Sequence, residues 1–83
     1  MRKKSMQCLI VADNGYDYVV GGTFRIAGTK YAKLTSNRSE AKRYSSKSKA
    51  VEAGKKLAKS CHNLNGKFIV LEEDGFQGWQ YSV

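Results

Sequence analysis

Glu72, Glu73 and Asp74 stand in a row, Cys61 and His62 are neighbours, and Cys8 lies far from both. In this 83-residue chain these hold the one cluster of acids, both thiols and the single histidine, the first candidates for acid–base, metal or nucleophilic chemistry. Their spacing argues against each. A catalytic site needs a positioned acid, base or nucleophile with a partner. The acidic run falls at an expected hairpin tip, where successive side chains point to opposite faces. Glu72 and Glu73 therefore cannot share a proton or a metal, and the run reads as a solvated turn that protects a sheet edge. His62, the single histidine, sits at an expected helix end, where the macrodipole favours a cation. Cys8 and Cys61 each lie in an apolar pattern and read as buried small hydrophobes. A structural zinc would need about four ligands, and only His62 joins the two thiols. Gly21-Gly22 lacks the Lys-Ser/Thr and the helix of a phosphate loop. The expectation is a non-enzymatic protein with no catalytic residue, no metal site and no cofactor.

What remains is electrostatic. The net charge is +8, and it is uneven. Residues 25 to 59 hold eleven Lys and Arg against two acids, a net +9. The first 24 residues carry three cations against two acids, and the last 24 carry one against three. A basic middle between near-neutral ends points to a polyanionic or acidic partner. On a helix turning 100° per residue, Lys49, Glu52, Lys55, Lys56 and Lys59 fall opposite Leu57 and Cys61. Glu52 can pair with Lys55 or Lys56. Lysines on such a face act as point charges and give salt-sensitive, sequence-tolerant affinity. Arg38, Lys42 and Arg43 precede the helix, and with the Lys55/Lys59 ridge they should form the strongest unpaired cations. Aromatics interleave with these charges, and Tyr16, Tyr18 and Trp79 are the candidates for an exposed stacking face.

The elements that must position these residues are legible in outline. "SMQCLIVA" is rich in β-formers, Asn14-Gly15 suits a type I′ turn, and "YDYVV" returns. Gly21-Gly22 ends or bulges that strand, and a second hairpin is expected about Gly28-Thr29. "NRSE" is a capping-box start for one turn, with Asn37 and Glu40 bonding reciprocally, and Arg43 to Ser45 is extended. Ser46 caps the main helix, whose apolar stripe of Ala50, Gly54, Leu57, Cys61 and Leu64 ends at Asn65-Gly66. Gly54 in mid-helix costs roughly 1 kcal/mol against alanine, so a backbone or aromatic ring should press on it. "KFIVLEED" is the clearest strand, Asp74-Gly75 offers a turn, and "QGWQYSV" returns. Phe68, Leu71 or Val70, Ile10 and Tyr44 should be core.

The fold class is therefore α+β: an antiparallel sheet of four to six strands with one amphipathic helix on one face, in the order β-β-(β-β)-α-β-β. Residues 6–83 should be one compact domain. Residues 1–5, "MRKKS", should be a basic arm that is either disordered or adds phosphate contacts. No apolar run reaches about 18 residues, so no membrane span is expected, and the basic start followed by a short apolar run does not make a signal peptide.

The junction "YSSKSKAVEAGKKL" resembles the strand-to-helix turn of phage integrase arm-binding domains, over residues 43 to 58. Those domains lay a three-stranded sheet in the DNA major groove, whereas here two more strands follow the helix. "LTSNRSEAKRY" with the helix after it resembles small accessory proteins of Gram-positive phages and prophages, over residues 31 to 73. That resemblance implies a mobile-element origin and a binding role, with no transferable site residues, and with neither a span nor a signal peptide expected, the expected location is the cytoplasm of a bacterial host. The leading expectation is nucleic-acid binding through Arg38, Lys42, Arg43, Lys49, Lys55, Lys56 and Lys59. The alternative is a phage-encoded inhibitor, of anti-defence or anti-CRISPR type, that docks on an acidic or nucleic-acid-binding surface of a host protein. Homodimerisation through the terminal strand "GWQYSV" is a third role.

Overall fold

Five consecutive apolar residues, Cys8–Ala12, form strand β1, and all five are buried. A strand with that pattern needs cover on both faces and neighbours on both edges. The computed structural model, which describes residues 7–73 and 77–83, provides both. Four further strands, β2 (Tyr18–Ile26), β3 (Thr29–Thr35), β4 (Lys67–Glu72) and β5 (Gly78–Ser82), join β1 in an antiparallel sheet of order β3-β2-β1-β4-β5. Helix α1 (Lys47–Ser60) crosses one face. The α+β class and the order β-β-β-α-β-β are thus as the patterning implied, with five strands inside the expected four to six. The expected basic arm at residues 1–5 and the Asp74-Gly75 turn lie outside the described residues.

Alternation along β1 divides the interior. Cys8, Ile10 and Ala12 face the helix and meet Val19, Ala32, Phe68 and Val70. Ala50, Ala58, Cys61 and Leu64 close this main cluster from above. Leu9 and Val11 face the other way, into a smaller cluster with Ala41, Tyr18, Ile69 and Leu71. Of the expected core, Phe68, Val70 and Ile10 are fully buried, and Tyr44 packs half-buried against the main cluster.

The helix is seated on an aromatic ring, as the mid-helix glycine demanded. A Cβ added at Gly54 would stand 2.5 Å from Cδ2 and 2.8 Å from Cζ of Phe68. Glycine there brings the helix backbone down onto the ring. Ser46 caps α1, its side chain accepting from the Lys49 N–H.

Four local expectations are corrected. The first turn is not a two-residue type I′ turn. Residues between β1 and β2 form a wider loop, in which the Asn14 side chain accepts from the backbone of Tyr16 and Asp17. That Asx bonding replaces the positive φ a type I′ turn would ask of Asn14. The second turn lies one residue earlier than expected, at Ala27-Gly28, both with positive φ (51° and 85°), so that Ile26 pairs with Thr29. Asn37 bonds Ser39 rather than the residue three on, and Glu40 accepts from the Thr35 hydroxyl instead of reaching back to Asn37. A single 3-10 turn, Arg38–Glu40, results. Finally, α1 ends at Ser60, a turn before the Asn65-Gly66 stop. Cys61 turns extended, and a 3-10 turn (His62–Leu64) follows. That break frees Asn63, whose amide accepts from the Ala32 N–H and donates to the Ala32 carbonyl, each at 2.9 Å. The outer edge of β3 is thereby tied to the end of the helix.

Candidate nucleic-acid interface

The basic segment between β3 and α1 serves two different ends. Residues Ala41 to Tyr44 bridge β2 and β1: the Lys42 N–H donates to the Val19 carbonyl of β2, and Tyr44 and Cys8 of β1 exchange backbone hydrogen bonds. Alternation then sends Ala41 to the smaller cluster and Tyr44 to the helix side. Arg43 follows Ala41. Its guanidinium forks onto the Glu73 carboxylate, Nε to Oε1 at 2.5 Å and Nη2 to Oε2 at 3.1 Å. Its Nη1 donates to the carbonyls of Arg38 and Ala41. Arg38 Nη2 donates to the Glu73 carbonyl. These bonds fasten the crossover to the end of β4.

Arg43 was expected among the strongest unpaired cations, and this is corrected. Its planar fork fits a carboxylate bidentately, and the remaining donors close a backbone turn. Glu73, expected to be a solvated turn residue, is the other half of that clamp. The pairing spans 30 residues, so no local pattern announces it. Arg38 is partly engaged in the same clamp. Lys42 lies on the helix side, where its alkyl stem crosses Gly21 and its Nζ stands 5.6 Å from the Tyr44 ring. Gly21 has φ +98° in the β2 bulge, and a Cβ there would sit 2.8 Å from the Lys42 stem. The segment's cations are therefore split between the two sides of the sheet, with Lys42 on the side of α1.

The helix face is different. Lys49, Lys55, Lys56 and Lys59 are all exposed, as is Glu52. Among the described residues, none of these five side chains makes an ion pair or a hydrogen bond. The expected pairing of Glu52 with Lys55 or Lys56 is absent, so Glu52 lowers the local potential without occupying any one lysine.

The three candidate stacking aromatics lie apart. Tyr16 is exposed (77%) in the first loop. Tyr18 begins β2 and packs half-buried on the smaller cluster. Trp79 packs half-buried against the main cluster, and Lys47 Nζ covers its ring at 3.9 Å. The three form no common platform. A different pair was missed: Phe24 (40% exposed) stacks on Tyr31 across the β2–β3 hairpin, centroids 5.5 Å apart. Their strand alternation was visible in the sequence, but the register that sets them face to face depends on the Ala27-Gly28 turn.

The hairpin carries further cations. β1 pairs with β2 only at Val11↔Tyr18, so β2 from Thr23 onward has β3 alone as partner. There Arg25 stands directly opposite Lys30. Near its tip, Lys30 joins Lys59, Ser60 and His62 in lining a cleft of about 580 Å³ between the hairpin and the end of α1.

Nucleophilic chemistry has little support in the thiols. Cys8 is fully buried, and burial, with Glu72 beside it, pushes its thiol above the ordinary range, against a smaller opposing pull from Lys47. Cys61 is buried and free. No helix among the described residues is long and apolar enough to cross a membrane. Comparison with protein-family models, with curated proteins and with solved structures finds no match to this chain.

Proposed function

We propose that this protein is a non-enzymatic nucleic-acid-binding protein that grips the phosphate backbone through the outer face of α1, in the cytoplasm of a bacterial host. The observation that carries this reading is the lysine face itself. Lys49, Lys55, Lys56 and Lys59 are solvent-facing and without acidic partners among the described residues, on a helix whose position is set by a buried ring. A rigid element presenting several point charges suits sequence-tolerant phosphate contact. Lys42 adds to it from the same side of the sheet. Arg43, held by Glu73, supports the fold instead. Titration of labelled duplex and single-stranded DNA and RNA across salt tests the reading: affinity should fall steeply with salt and be lost in Lys55→Glu/Lys59→Glu. No binding even at low salt would overturn it.

Exposed Phe24 and Ile26 favour a second reading, a phage-derived inhibitor docking on a host protein. In that case nucleic acid would fail to bind, and a host protein would be retained by the wild type and released by Phe24→Ser.

A further inference from the structure

We propose that the cleft between the β2–β3 hairpin and the end of α1 is a phosphate-binding site, taking a backbone phosphate of nucleic acid or the phosphate chain of a free polyphosphate. In its nucleic-acid form the inference rests on the reading above, because the cleft continues the Lys55/Lys59 ridge beyond the helix.

Three observations converge on it. The first is composition: Lys30, Lys59 and His62 line the cleft with Ser60, Asn65 and the C-terminal residue Val83, and no Asp or Glu side chain does. Lys59 alone would mean little, since a cation in the last turn of a helix is favoured by the macrodipole. Lys30 has no such reason to be there.

The second is a cost. Arg25 and Lys30 are direct partners across the hairpin, so both project from the same face. Alternation gives them the face of Ala32, which belongs to the helix-side core. Like charges directly opposite each other destabilise a strand pair. Among the described residues neither makes an ion pair; Arg25 makes only a long 3.5 Å bond to the Gly28 carbonyl. A local arrangement that opposes the fold is the mark of a site serving something else, and a bound anion removes the opposition.

The third is rigidity. The walls are tied together by the two Asn63–Ala32 hydrogen bonds, two residues from Lys30, and by the edge contact of Tyr31 on His62 at 6.0 Å. The cations therefore come from separate segments already held in place, so that little ordering is needed when an anion enters.

The test uses the full chain, with fluorescence anisotropy of a labelled oligonucleotide across salt and with tripolyphosphate as a second probe. Lys30→Gln and Arg25→Gln are each expected to reduce the slope of log affinity against log salt by about 0.7 to 0.9. Lys30→Glu places opposite charges face to face, so it should raise the thermal midpoint while weakening binding; a merely structural lysine would show no such opposition. If Lys49→Gln/Lys55→Gln lowers affinity and slope but the hairpin variants change neither, the cleft proposal is overturned and the helix reading stands. If oligonucleotide does not bind but tripolyphosphate raises the thermal midpoint in a Lys30-dependent way, the cleft stands with the free polyphosphate as ligand and the nucleic-acid reading falls. If neither probe binds, both are overturned.

Discussion

Replacing Gly54 by alanine tests whether the helix sits where its lysines become an interface. On helix propensity alone the change stabilises by roughly 1 kcal/mol. The packing predicts the reverse. The new methyl would meet the Phe68 ring, with Cδ2 at 2.5 Å and Cζ at 2.8 Å, where real Cβ contacts essentially never come. Phe68 is fully buried against the floor of the sheet and stacked on Tyr81 at 5.2 Å, so the ring cannot swing away freely. Overpacking of this kind costs about 1–3 kcal/mol, and an overlap with several atoms of a confined ring belongs at the upper end. After the propensity gain, a net loss of about 2 kcal/mol is expected. For a domain of this size that is a fall of roughly 8–16 °C in thermal midpoint. Urea unfolding followed by fluorescence of Trp79, which packs on the same cluster, gives the value directly, with the m-value held constant. The penalty should shrink by about 1 kcal/mol or more in a Phe68→Leu background, since the two residues touch. A Gly54→Ala variant more stable than the wild type would refute the seating of α1 on Phe68, and with it the placement of the lysine face.

Substitutions at three other positions have defined outcomes. Arg43→Ala should cost about 1–2 kcal/mol of stability, the worth of charge-assisted hydrogen bonds discounted for partial exposure, with nucleic-acid affinity unchanged within twofold. Arg43→Lys should not restore the loss, because an ammonium cannot fork onto Glu73 while bonding two carbonyls; chemical unfolding checks both. Asn63→Ala should cost about 1–3 kcal/mol through its two lost bonds to Ala32, and the Ala32 amide should lose hydrogen-exchange protection well before those of β1. In Lys30→Glu, thermal stability and anion affinity should move in opposite directions.

The strands, the Ser46 cap and the helical stripe were legible because each rests on short-range chemistry. β1 read as a strand from its β-formers, Ser46 from its position before a periodic run, and Gly54 as a close-packing point from its mid-helix cost. Turn types were less so, because Asn14 satisfies its loop by side-chain bonding and Ala27 accepts a positive φ that alanine rarely takes. The site was legible in part. The lysines of α1 could be placed on one outer face by 100° periodicity. Arg43 could not be taken off that surface, since its partner Glu73 lies thirty residues away and looked like a turn acid. Trp79 read as an exposed aromatic because nothing in "GWQYSV" shows that Lys47 will cover it. Lys30 drew no notice, because its meaning depends on hairpin register and on a helix that stops at Ser60.

If the exposed lysines of α1 hold phosphates, each contact releases counterions, and the salt dependence of binding counts them. With Lys49, Lys55, Lys56 and Lys59 each neutralising one phosphate, these four alone should contribute about −3 to −4 to the slope of log affinity against log salt, the hairpin cations adding to it, and Lys55→Glu/Lys59→Glu should flatten it and abolish binding at moderate salt. No binding at low salt, or binding that ignores both salt and this substitution, would contradict the account.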